Sequence, residues 1–211
     1  MLIISELHYH PPAAFFAALL RADGLVLEAR ENYRKQTYRN RCLIRTAQGV
    51  QPLTVPVVAG NRAEKVRTSD IEIDYRQHWI HRHWRTLQTA YGNSPYFEYY
   101  ADYLHDIYQQ KPVLLFDLNL AFLRLELRCF RLTLPLSFTT AYHAPGPLAP
   151  ADLLDRRDWL SPKASGAGPD SPAACGLVRP YPQVFGPGFE PGLSILDLLF
   201  AQGPAAGSFL G

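Results

Sequence analysis

Ten of the chain's 18 prolines and 7 of its 14 glycines fall between Thr139 and Gly192. Proline fixes φ and removes a backbone donor, and glycine raises the entropy lost on ordering, so this stretch is poorly suited to regular structure. It reads as a Pro/Gly-rich loop or linker over 139–192. Within it Ser161–Ala174 (SPKASGAGPDSPAA) is expected to be disordered, because it has almost nothing to bury. The folded core must come from residues 1–138 and from the tail, 193–211, where Leu193-Ser194-Ile195-Leu196-Asp197-Leu198-Leu199-Phe200 turns apolar again. Ser194 with Asp197 three residues on reads as a capping box opening a short C-terminal helix that docks on the core. A length of 211 residues with 47% hydrophobic and 19% charged side chains suits one domain with one sizeable core and excludes wholesale disorder.

The first 138 residues predict an α/β fold with a mixed sheet. Leu2–Leu7 is a short apolar run fit for a buried strand, Pro11-Pro12 open a helix with Phe15, Phe16, Leu19 and Leu20 on one face, and Leu25–Glu28 is a second strand. Strand, helix and strand in that order outline an N-terminal parallel βαβ unit. Cys42–Thr46 and Leu53–Val58, separated by a turn-rich run, predict an antiparallel hairpin, and Val66–Asp74 alternates like a further strand. A mainly helical half follows. Trp79, His83, Leu87 and Tyr91 repeat every four residues, Ser94-Pro95 starts a second helix carrying Phe97, Tyr100, Leu104 and Tyr108, and a third begins near Asp117 with Leu118, Phe122, Leu125, Cys129 and Leu132 inward.

Charge is unevenly spread. Arg30 to Arg45 holds six basic residues against one acid, a local excess of +5 in a chain whose net charge is +2. This run leaves the carboxyl end of the second strand, the edge at which open α/β sheets bind ligands. Arg and Lys there suit phosphate or carboxylate oxygens, with Tyr33 and Tyr38 as flat faces; the competing reading is a solvated loop paired with Asp23, Glu28 or Glu31. Arg76–Arg85 packs three of the seven histidines and two of the three tryptophans into ten residues. There His83 is either a core histidine satisfied by one hydrogen bond or, with Arg85, a group reaching the basic cleft as acid, base or anion contact. His8-Tyr9-His10 ends the first strand at a helix start, where it either meets an anion or lines the sheet rim.

No P-loop, G-x-G-x-x-G, G-x-S-x-G or H-E-x-x-H is present, and Cys42, Cys129 and Cys175 lack zinc spacing, so neither metal nor cofactor is implied. The apolar runs are too short to span a bilayer and no signal-peptide pattern opens the chain, which predicts a cytoplasmic protein without membrane insertion. The mild bulk charge argues against nucleic acid as a partner.

A long ordered series of residues resembles the WbqC-like protein family in its Bacteroidetes-type form. It comprises Glu6–Pro12 with Phe16, Asn32–Cys42, Leu53–Val57, His83–Thr86, Ala90–Phe97, Tyr181–Phe185, Gly188-Phe189 and Leu193–Phe200. The chain departs from the family's residues at His8, His10 and Gly192, where glutamine, leucine and asparagine are expected. The resemblance implies a role in modifying sugars for bacterial surface polysaccharides, and Tyr33, Lys35, Asn40 and Arg41 match its signature. The leading expectation is a transferase acting on a nucleotide-activated sugar, with acyl or aminoacyl transfer to an amino sugar as one form. Lys35, Arg39 and Arg41 would hold the diphosphate and Tyr33 would stack or donate. Tyr9, Asn40 and Arg85 complete the ligand set, and His83 or His8 would take the proton. The alternative is a non-catalytic interaction protein that docks a partner enzyme through Leu196, Leu199 and Phe200.

Overall fold

The computed structural model describes residues 1–58, 66–142, 152–162, 176–186 and 188–211. Strand β1 (Leu2–Glu6), helix α1 (Ala13–Leu19) and strand β2 (Gly24–Glu28) form the parallel unit, with Leu2 opposite Gly24 and Glu6 opposite Glu28. Pro12 stands at the helix start, where its missing N–H costs nothing. Phe15, Phe16 and Leu19 are buried as expected, whereas Leu20 caps the helix and is exposed. Two three-residue strands complete the sheet in the order β5-β2-β1-β6, all parallel: β5 (Leu136–Phe138) beside β2, and β6 (Leu153–Asp155) beside β1. The antiparallel pairing lies in a separate hairpin, β3 (Arg41–Thr46) with β4 (Gly49–Thr54).

Two sequence expectations are corrected here. The second hairpin strand begins at Gly49, not Leu53, because the turn is only Ala47-Gln48 and Pro52 lies inside the strand, opposite Leu43. Counted out from a two-residue turn, that pair is non-hydrogen-bonded, so the absent proline donor faces the open edge of the ribbon. Val66–Asp74 is not a strand. Its backbone makes single bridges from Arg67 to Asn32, Glu72 to Leu114 and Ile73 to Val57, around a 3₁₀ turn at Thr68–Asp70.

Helices α2 (Trp79–Tyr91), α3 (Phe97–Gln110) and α4 (Leu115–Cys129) follow the predicted stripes. Leu132 falls beyond the end of α4, and Ser94 closes the turn after α2 by donating its hydroxyl to the Tyr91 carbonyl rather than capping α3. One apolar cluster gathers α2, α3 and the hairpin; another gathers α1 and the parallel strands. Helix α4 serves both, Leu118 and Phe122 facing the first and Leu123 and Leu127 the second.

The tail helix α5 (Ile195–Gln202) is capped by Ser194, whose hydroxyl accepts from the Leu196 N–H. The box is not closed, because the Asp197 carboxylate accepts instead from the hydroxyls of Tyr91 and Tyr181 and from the Gln183 amide. Ile195, Leu196, Leu198, Leu199 and Phe200 are all buried. At about 1.5–3 kcal/mol each, their burial is comparable with the ~5–15 kcal/mol net stability of a domain, so α5 is integral to the core. Leu196, Leu199 and Phe200 therefore do not present a docking surface, which corrects the expectation that they anchor a partner. Cys42 is a buried thiol and Cys129 a half-buried one; Cys175 and residues 163–174 of the segment expected to be disordered lie outside the described residues. Among the described residues, no helix is long and apolar enough to cross a membrane.

Candidate functional site

Three parallel strands each end in an acid at the carboxyl edge of the sheet: Glu6 on β1, Glu28 on β2 and Asp155 on β6. The basic run Arg30–Arg41 leaves this edge and is pinned along its length. The Tyr33 N–H donates to the Val66 carbonyl and the Thr68 N–H to that of Glu31. Farther on, Tyr38 accepts from the Tyr9 N–H, Arg39 accepts at its carbonyl from the Asn119 amide, and the Asn40 amide donates to Val55.

Arg39 is fully buried and its charge is consumed. Nε and Nη2 donate to the two oxygens of Glu31 at 2.6 Å each, Nη2 also reaches Asp158 Oδ1 at 3.1 Å, and Nη1 lies 3.7 Å from Glu6. Glu6 in turn accepts from the Asp158 N–H at 3.0 Å, and His8 Nε2 lies 3.0 Å from its other oxygen. Burial alone would raise the Glu6 carboxyl; the His8 ring and the Arg39 guanidinium outweigh it and hold it at about 2. At Glu31 burial prevails over Arg39 and the carboxyl is raised. Arg157 plays the matching part for the other two strand ends, paired with Asp155 at 2.5 Å and with Glu28 at 3.2 Å. Thr139, just past β5, donates its hydroxyl to Glu28 at 2.6 Å.

Beside this network lies a cleft of about 560 Å³ lined by Arg30, Glu31, Asn32, Tyr33, Arg34, Lys35 and Tyr142. Tyr33 is 1% exposed, and burial raises its hydroxyl pKa against the nearby charges of Arg41 and Arg39. Lys35 is half-buried, Arg30 is exposed, and Arg34 reaches across to Asp158 at 2.6 Å. Tyr142 carries the Arg157 guanidinium 5.8 Å from its ring centroid, which ties the cleft wall to the strand-end acids.

The expected site residues thus divide among several places. Tyr33 and Lys35 line the cleft, Arg39 sits behind its Glu31 wall, and Arg41 opens β3 within electrostatic reach of Tyr33. Asn40 ties the loop to Val55. His8 is 2% exposed against Glu6, with Nδ1 lacking a hydrogen-bond partner among the described residues. Tyr9 and His83 meet elsewhere, in a buried group with Tyr108, His10 and Glu126. Tyr9 Oη is 2.9 Å from His83 Nδ1 and 2.5 Å from Tyr108 Oη, and His83 Nε2 is 3.2 Å from the Thr54 carbonyl. These contacts give His83 the core placement, not the cleft. His10 Nδ1 lies 2.6 Å from Glu126 Oε1. Burial drives both toward neutrality, His10 down to about 3 and Glu126 well up, so the contact is a hydrogen bond between a carboxylic acid and a neutral imidazole. Arg85 is exposed on α2, beside a different cavity next to the hairpin turn.

Sequence reasoning named Glu28 only as a pairing partner of the loop and Glu6 only within the resemblance, and it passed over Asp155, Arg157, Asp158 and Tyr142. A signal was available: a short apolar run ending in an acid occurs at Leu2–Glu6, Leu25–Glu28 and Leu153–Asp155, and the third is followed by Arg156-Arg157-Asp158. Among the described residues no group of three His, Cys, Asp or Glu side chains is placed to hold a metal ion.

The sequence is similar to the uncharacterized protein Rv1507c of Mycobacterium tuberculosis (strain ATCC 25618 / H37Rv), 29% identical over 236 residues that span 98% of this chain and 96% of that protein. No solved structure matches. Residues 7–155 and 176–209 match the WbqC-like protein family, a span that contains the basic run, the cleft wall and the buried histidine group. The chain belongs to the WbqC-like protein family.

Proposed function

We propose that the protein is a cytoplasmic transferase of bacterial surface-polysaccharide biosynthesis that binds a nucleotide-activated sugar in the basic cleft. The observation that carries this reading is the cleft itself: about 560 Å³ beside the carboxyl edge of parallel strands, with Arg30, Arg34 and Lys35 on its rim and Tyr33 in its wall. Ligand pockets span about 300–1,000 Å³, so the space suits a molecule of that size. The diphosphate is assigned to Arg30, Arg34 and Lys35, with Arg34 exchanging Asp158 for a phosphate oxygen, and Tyr33 and Tyr142 supply rings for the base or sugar. Arg39 and Asn40 shape the loop behind the cleft. Glu31 is the carboxyl group in the wall, and its raised pKa suits acceptance of a proton from an attacking amine or hydroxyl.

Calorimetry with a panel of nucleotide sugars tests the assignment on the wild-type chain and on Arg30→Ala with Lys35→Ala. Charge-assisted hydrogen bonds contribute about 1.5–3 kcal/mol, so the double variant should bind at least about tenfold more weakly. Failure of every nucleotide sugar to bind, or equal binding by the double variant, refutes it.

A further inference from the structure

Helices α3 and α4 pack side by side, and across their outer faces charge is sorted into rows. On α3 the exposed acids Glu98, Asp102 and Asp106 recur every four residues. At 100° per residue, Tyr96, Tyr99 and Tyr103 fall beside them on the side toward α4. Tyr99 is 70% and Tyr103 54% exposed, and the Tyr96 and Tyr99 ring centroids are 6.0 Å apart. The exposed arginines follow on the other flank, Arg124 and Arg128 on α4 and Arg131 just past its end. The Arg128 guanidinium lies 5.5 Å from the Tyr103 centroid, and Arg131 is within electrostatic reach of Tyr100. The two helices therefore run in opposite directions, with a row of tyrosines between a row of acids and a row of arginines.

Two observations point to a partner. Like charges four apart on a helix repel and weaken it, and an exposed helix is supported when opposite charges share that spacing. Here neither row has such support: none of the six charged side chains makes an ion pair among the described residues. The helix dipoles favour Glu98 at the start of α3 and Arg128 near the end of α4, but they do not account for Asp102, Asp106 or Arg124, which lie away from those ends. In addition, the strip between the rows is made of exposed tyrosine rings with an arginine stacked on one of them. Tyrosine and arginine are the side chains that most often anchor protein interfaces.

We propose that this face pairs with the same face of a second copy of the chain, about a two-fold axis running along the tyrosine row. Rotation about that axis lays the acids of each copy over the arginines of the other, as a self-complementary contact requires. The rows match in length, about 12 Å from Glu98 to Asp106 and about 10.5 Å from Arg124 to Arg131. They also match in level, which sets Glu98 against Arg131 of the partner subunit, Asp102 against the partner's Arg128 and Asp106 against the partner's Arg124, each pair formed twice. Tyr99 and Tyr103 meet at the centre. A two-fold axis running across the helices would lay acid on acid, and an anionic polymer on the arginines would be repelled by the acid row beside them. The face is about 20 Å on a side, at the small end of specific interfaces, so a micromolar dissociation constant is expected. None of these residues lines the basic cleft, so the inference stands apart from the nucleotide-sugar reading.

The test is sedimentation velocity on the full chain from about 1 to 200 µM, in about 0.05 M and 0.5 M salt. A monomer–dimer equilibrium is expected, weaker at the higher salt. Asp102→Arg alone, or Arg128→Asp alone, sets like charges together at both symmetry-related pairs and should weaken the dimer at least about tenfold. Mixing the two variants should restore it, because in the mixed dimer the two altered side chains face each other with opposite charge and the two native ones do the same. Both positions are exposed, and Asp106→Arg with Arg124→Asp supplies a second such pair if either variant fails to fold. The proposal is overturned if the wild-type chain stays monomeric at the highest concentration, the face then being left to solvent or to another kind of partner. It is equally overturned if neither reversal weakens the dimer, or if the mixture associates no better than its components.

Discussion

Replacing Arg39 with methionine keeps the unbranched stem of the side chain and removes the guanidinium that Glu6, Glu31 and Asp158 surround. Two of those carboxylates are themselves buried, so the variant leaves Glu31 without its counter-charge and Glu6 with His8 alone. Breaking a buried ion pair from one side costs about 3–5 kcal/mol, and that loss of stability is expected at neutral pH. The pH dependence gives the sharper test. In the wild type the Glu6 carboxyl is depressed from 4.5 to about 2, first through His8 and then through Arg39, against the opposing effect of burial. A depressed carboxyl contributes stability that is fully present above 4.5 and is lost as pH falls through about 2. At about 1.36 kcal/mol per pKa unit this contribution is on the order of 3 kcal/mol, only part of it due to Arg39. In the variant, burial without Arg39 raises the Glu31 carboxyl further while His8 still lowers Glu6, and the Glu31 penalty is costly at pH 7 and costs nothing once that carboxyl is protonated in both states. The difference between the two proteins must therefore shrink on acidification. Urea unfolding at pH 7 and pH 4, followed by tryptophan fluorescence, measures it. A loss below about 1 kcal/mol at pH 7, or a difference that widens as pH falls, refutes the clamp.

Two further changes probe other parts of the fold. Glu126→Gln replaces a carboxyl that burial keeps protonated, and a raised acid loses its contribution as pH climbs above 4.5. The variant should match the wild type at pH 4 and be the more stable of the two at pH 8 in thermal melts; lower stability at pH 8 would show Glu126 to be ionised. Ser194→Ala removes the hydroxyl that accepts from the Leu196 N–H and should cost about 1 kcal/mol in urea unfolding, whereas an unchanged midpoint would mean that the carbonyl and packing contacts of α5 hold it without a cap.

What the sequence disclosed follows from the range of the interactions involved. The four-residue spacing of Trp79, His83, Leu87 and Tyr91 is a local pattern, and α2 buries all four. The strand-helix-strand start was legible because Pro11-Pro12 and the flanking apolar runs act within a few residues. Val66–Asp74 misled because alternation reports which side chains face inward, not whether a neighbouring strand is there to pair with. Its backbone groups go to three different partners instead. Strand β6 has only three residues and sits in a Pro/Gly-rich stretch, where pairing with β1 stabilises what local preference does not. At the site, the concentration of basic charge and its place after β2 were readable, as was the role of Tyr33 and Lys35 as neighbours. Pairing of the run with Glu31 was one of the two sequence readings, and Arg39 makes that pair; that Arg39 is also buried against Glu6 and Asp158 was not readable, because they lie 33 residues before it and 119 after it. His83 could be read either way, and only the approach of Tyr9 and Thr54 from other elements decides for the core.

The strand order β5-β2-β1-β6 and the burial of α5 make this a molecule closed from its far end. The two strands that come earliest in this sequence occupy the middle of the four-stranded sheet, and their outer neighbours follow only at residues 136–138 and 153–155. Even then both apolar clusters await Ile195, Leu196, Leu198 and Phe200. Until α5 is made, hydrophobic surface of both clusters stays uncovered, and a premature stop before residue 195 would strip a wall from both halves of the interior at once.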